Sequence, residues 1–211
     1  MKKILSLLMI VTLFLVSCKK SDKQETDRME VWRIEYMENE WGDKTNESIV
    51  TYISTGTYSD NSYTDEPLLF AYVLKKYNKD DLNDCLYGTE GEDIFRIMLQ
   101  KDANGIWEDF SSHDCVVEYF AARNSANKQF HMRAHNSHDA FKTVDCIDNF
   151  LSLGGDAKYF VDNSLKNNMV VQMIIKVRFN EAAKDITTYK ISALPEGYKD
   201  VLSSAGLKLQ K

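Results

Sequence analysis

The chain has 211 residues, 44% of them hydrophobic and 27% charged, enough for one large domain or two small ones with a sizeable core. Its net charge of -6 disfavours nucleic acid and anionic lipid as partners, since both need lysine and arginine to neutralise phosphate. Nine glycines leave little material for a phosphate-binding loop.

The chain opens with Lys2 and Lys3, then an apolar run from Ile4 to Val16. That run is short for a bilayer span and fits a secretory signal. Leu15-Val16-Ser17-Cys18 closes it and resembles the lipobox of bacterial lipoproteins. The resemblance implies removal of residues 1–17, diacylglycerol linked through a thioether to Cys18, and acylation of the new amino group. The two leader lysines would leave with it, making the mature chain two charges more acidic. Attachment would then rest on the acyl chains, each buried methylene contributing about 0.8 kcal/mol. Lys19 stands where inner-membrane retention in enteric bacteria uses aspartate, which favours the outer membrane. Lys19 to Arg28 contains no apolar residue, so residues 18–29 read as the lipidated cysteine and a flexible tether. Residues 30–211 read as a single domain.

Within that domain, Trp32, Ile34 and Tyr36 alternate with Arg33, Glu35 and Met37, as in a strand. Ser48–Thr55 is β-branched and aromatic, hence a second strand, ended by Gly56. Pro67–Tyr77 is an apolar run that fits strand or helix and is taken as a third strand. Phe95, Ile97 and Leu99 alternate next, Asn104-Gly105 signals a hairpin, and Cys115–Arg123 and Gln129–His135 continue what reads as a meander. From Asp139 the period changes. Ala140, Val144, Ile147 and Leu151 share one helical face, with Ser137 or Asp139 as cap and Gly154 as the left-handed end. Strands are expected again around Tyr159-Phe160-Val161, over Met169–Phe179 and over Ile186–Ser192. A second helix carries Tyr198, Val201, Leu202 and Ala205, with Pro195 in its first turn and Gly206 at its end. The fold class is α+β, mainly β: an antiparallel β-sandwich or partly open barrel with two short amphipathic helices.

Chemistry-bearing residues are few. His131 and His135 share a strand face with Arg133, and His138 and Asp139 lie just beyond. His131 and His135 sit about 13 Å apart on an extended strand, so His135, His138 and Asp139 form the easier metal set. The competing reading makes the histidines solvent-face polar residues opposite Phe130, Met132 and Ala134. Asp60, Asp65 and Glu66, and separately Glu90, Glu92 and Asp93, offer calcium-type oxygens without EF-hand spacing, or are plain acidic turns. Three cysteines remain after Cys18. Either Cys85 and Cys115 form a disulfide, stabilising by roughly 3–4 kcal/mol, and Cys146 stays free, or all three are thiols. His113 lies two residues from Cys115, with no third group to orient a dyad. No G-x-S-x-G elbow occurs. Trp32, Trp41, Tyr52, Tyr58, Tyr63, Tyr72 and Tyr77 crowd the first half, as core packing or as a binding surface.

Arg133 on a strand, Phe150-Leu151-Ser152-Leu153-Gly154-Gly155, and Tyr189-Lys190-Ile191-Ser192 with Leu194 and the Tyr198–Ala205 helix together resemble the accessory lipoproteins of type VI secretion, the VasI/TagO-like group. The resemblance implies a β-rich domain closing in a strand and a helix. The expected function is that of a lipid-anchored, non-catalytic envelope protein, without cofactor, binding a protein or other partner through a sheet face or loops. Two alternatives stand beside it: an immunity protein or inhibitor, its acidic surface suiting a basic target, and a metal-assisted hydrolase using the His131–Asp139 region.

Overall fold

Alternation of apolar and polar residues sets most of the architecture. The computed structural model describes residues 30–38, 41–59, 66–80, 91–98, 116–133, 144–147, 150–178 and 186–209. Its strands are β1 (Arg33–Glu38), β2 (Lys44–Ser59), β3 (Glu66–Lys75), β4 (Ile94–Met98), β5 (Val116–Asn124), β6 (Gln129–Arg133), β7 (Val144–Ile147), β8 (Phe150–Leu153), β9 (Val171–Arg178) and β10 (Thr187–Ala193). Helices α1 (Gly155–Lys166) and α2 (Tyr198–Ala205) complete it. The strands form one sheet in the order β6-β5-β9-β10-β2-β3-β4-β8-β7, every pairing antiparallel, with β1 branching from β2. The far end curls back until β7 approaches β5. The fold is thus α+β, a partly open barrel with two short helices.

β2 is the spine. One edge carries β3 from Ile49 to Tyr58. The other is divided, β1 pairing with its first half and β10 with its last four residues. Gly56 does not end this strand, contrary to the sequence expectation. The Phe70 ring and the Lys190 carbonyl lie 2.6 Å from where its Cβ would be, so glycine is what lets β10 and Phe70 close over the spine. Trp32 fills the fork between β1 and β10. It is buried, stacks on Tyr52 at 4.5 Å and meets Tyr198 edge-on at 4.6 Å. Its Nε1–H donates to the Leu194 carbonyl at 2.7 Å. The Leu194 N–H donates to Tyr52 Oη and the Tyr72 O–H donates to the Ser192 carbonyl. Trp32, Tyr52 and Tyr72 are therefore core, while Trp41 beyond β1 is 87% exposed.

Two expectations for the middle of the chain are overturned. Val144–Ile147 and Phe150–Leu153 are strands, not a helix: β7 pairs with β8, and β8 pairs with β4. Val-Asp-Cys-Ile and Phe-Leu-Ser-Leu are four-residue runs around two turn-forming residues, and so short a run fits either period. Pairing with β4 decides for the strand. The expected strand at Tyr159-Phe160-Val161 is instead the heart of α1, which buries Ala157, Val161 and Leu165 at successive four-residue steps. Gly154 begins this helix in an extended conformation (φ -126°) rather than ending one left-handed. Asp156 and Lys166 complement its dipole ends. In α2 the start moves to Gly197, two residues past Pro195, and Gly206 ends it left-handed (φ 65°) as expected. The meander is also revised. β5 and β6 form a hairpin, but β4 pairs with β3 and β8, and β5 with β9.

Asn124 ties that hairpin to α1. Its side-chain oxygen accepts from the N–H groups of Ala126 and Lys128, and its amide donates to Ser164 Oγ. Asn127 supplies the positive φ of the turn.

Candidate binding face

One face of β5, β9 and β10 buries Phe120, Met173, Ile175, Val177, Tyr189 and Ile191 in the main cluster with both helices. The opposite face is open to solvent across β6-β5-β9-β10-β2, and registration lays its residues in rows. Gln129, Arg123, Gln172 and Ser192 are cross-strand partners in the first. His131, Ala121, Ile174, Lys190 and Thr57 form the second. Arg133, Tyr119, Lys176, Thr188 and Ser59 form the third. A depression of about 570 Å³ lies over the first two rows and the Tyr119 end of the third.

The chemistry of this face departs from that of the whole chain. Arg123, Lys176 and Lys190 supply positive charge, and none of these row residues is acidic. Glu118, preceding Tyr119 on β5, is ion-paired with Arg178. Arg123 Nη2 donates to Gln172 Oε1 at 2.7 Å, which fixes the guanidinium along the sheet. Lys176 Nζ stands 5.8 Å over the Tyr119 ring. Between these charges lie small Ala121 and Ile174, the latter 40% exposed.

Comparison with known proteins gives no match: no family model, no curated protein and no solved structure. The face is therefore read from its own residues.

His131 does lie on the solvent face, and Phe130 and Met132 pack towards the core. Its ring nitrogens are both engaged, Nδ1 with Tyr119 Oη at 3.2 Å and Nε2 with Gln129 Oε1 at 2.9 Å. The tautomer protonated on Nε2 satisfies both contacts. Among the described residues no three His, Cys, Asp or Glu side chains are placed to share a metal ion. The candidate metal ligands His135, His138 and Asp139 lie outside the described residues, as do Cys18, Cys85, Cys115, His113, Asp60, Asp65 and Glu90. Cys146 falls in β7 and Glu66 in β3. Of the second acidic loop, Glu92 accepts Lys158 Nζ at 2.6 Å and Asp93 accepts the Lys208 N–H. These carboxylates hold α1 and the C-terminal segment to the start of β4 and are not an open calcium turn.

Sequence reasoning missed Arg123, Gln172, Ile174, Lys176 and Lys190. The signal was present as the polar half of each alternating strand. Only the neighbour order β5-β9-β10, set by pairings across the chain, gathers them on one surface.

Proposed function

We propose that this protein is a non-catalytic binding protein of the bacterial cell envelope, held to the membrane by lipid on Cys18, that takes its partner on the β6-β5-β9-β10-β2 face. The observation that carries the reading is a solvent-open sheet face that carries cations and no acid in its rows, with Ile174 exposed at its middle, on a chain of net charge -6. Segregated charge of this kind steers encounter and fixes orientation. Ile174, 40% exposed, adds one apolar contact point at the middle of the face. The mutual hydrogen bonds of Arg123 with Gln172, and of His131 with Tyr119 and Gln129, make a preset contact surface rather than a poised acid or base. The net acidity by itself suited a basic target for an inhibitor; the cations of this face favour a partner of the opposite sign.

The test is photo-crosslinking in growing cells, with a benzoylphenylalanine at Ile174 or Thr57 and a control at Lys199 on the exposed side of α2. One discrete adduct from the face positions and none from the control is expected; adducts from the control alone would refute the face. Labelling with radioactive palmitate, compared with Cys18→Ala, checks the anchor separately.

A further inference from the structure

We propose that the occupant of this face is an extended, acidic polypeptide segment with apolar residues between its carboxylates. The inference rests on the binding role just argued and specifies the partner. The cations are distributed over β5, β9 and β10. From strand spacing and rise per residue, the Cα atoms of Arg123 and Lys190 lie roughly 12 Å apart, and those of Lys190 and Lys176 roughly 8 Å. Spread over three neighbouring strands, they suit a chain that carries charges at intervals and meets them in turn. Between them the second row is apolar at Ala121 and Ile174. A uniformly charged polyanion, such as a nucleic acid backbone or sulfated polysaccharide, leaves Ile174 facing charge. An acidic peptide in extended form places carboxylates on Arg123 and Lys190 and an aliphatic side chain on Ile174. Gln129, Gln172 and Ser192 in the first row add donors and acceptors for its backbone. Arg123, already oriented by Gln172, loses little freedom on forming a charge-assisted pair. The acidity of the rest of the chain repels a continuous polyanion or an anionic bilayer more than a short segment that sits wholly within the basic field.

The experiment titrates the purified protein into a fluorescein-labelled peptide of alternating glutamate and valine, and into its glutamine–valine counterpart. Binding of the glutamate peptide alone is expected, weakening as salt rises from about 50 mM to about 500 mM. The double variant R123E/K190E should lose about tenfold or more in affinity at low salt. Both side chains lie on the solvent face, and circular dichroism with the melting temperature verifies that the variant folds. The neutral pair R123Q/K190Q, with a smaller loss, gives an independent reading if charge reversal disturbs folding. Binding that ignores these substitutions, equal binding of the glutamine peptide, or no binding of the glutamate peptide would overturn the proposal. So would tighter binding of oligothymidylate, heparin or phosphatidylglycerol vesicles. A crosslinked partner at Ile174 together with a failed peptide titration removes this inference and leaves the binding role standing.

Discussion

Asp162 shows how single residues on α1 are matched to what faces them. It is buried, yet its carboxylate accepts the Tyr198 O–H at 2.8 Å and Lys166 Nζ at 2.7 Å. Burial raises its pKa above the ordinary carboxylate value, against the lowering effect of those two donors. A carboxyl raised in the folded state contributes its stability in full below the unfolded value and loses it as pH climbs through the folded one. Asp162→Asn keeps an acceptor for Tyr198 without that titration, so its stability should rise relative to wild type from pH 3.5 to pH 7, as read from urea midpoints. Asn124 is a second such residue, buried with its oxygen and amide both used. Asn124→Ala strands the turn N–H groups and Ser164, and should cost about 1–3 kcal/mol in urea unfolding.

At the level of elements, close approach over the β2 spine decides what is tolerated. A methyl group at position 56 would meet the Lys190 carbonyl and the Phe70 ring at 2.6 Å. Gly56→Ala should therefore destabilise by about 1–3 kcal/mol through overpacking, seen as a lower melting temperature. Trimming Phe70 as well would relieve only the ring contact. Long alternating strands were legible in the chain: β1, β3, β5, β6, β9 and β10 are read correctly to within a few residues, because period two survives wherever one face is buried. The Tyr198–Ala205 helix was legible from its stripe and Gly206. The β7–β8 pair and α1 were not. Val144, Ile147 and Leu151 satisfy a helical wheel as well as a hairpin, and Lys158 and Asp162 place charges on the buried side of α1. Those charges are tolerated because Glu92, Lys166 and Tyr198 meet them, and Glu92 and Tyr198 are partners no local window contains. The binding face was half legible: His131 was placed on the solvent side, while its cationic neighbours depend on strand order.

For the whole molecule, the aromatic core governs behaviour in alkali. Burial pushes the Tyr52 hydroxyl up to about 12 and raises Tyr72 and Tyr189 further. Tyr198 is raised well above 10 by burial, with the nearby Asp162 adding to it. These groups contribute stability that is complete below the unfolded value near 10 and is lost as pH rises through the folded values. Absorbance at 295 nm should show at least four of the eleven tyrosines withheld from titration until the protein unfolds; smooth ionisation of all eleven near pH 10 would contradict the packing. The bond from Trp32 to Leu194 couples segments far apart in the chain. The indole finds its seat only once β10 and α2, more than 150 positions further along the chain, are in place. Removing residues from 198 onward should leave that indole bathed in water, with fluorescence emission shifted to longer wavelength.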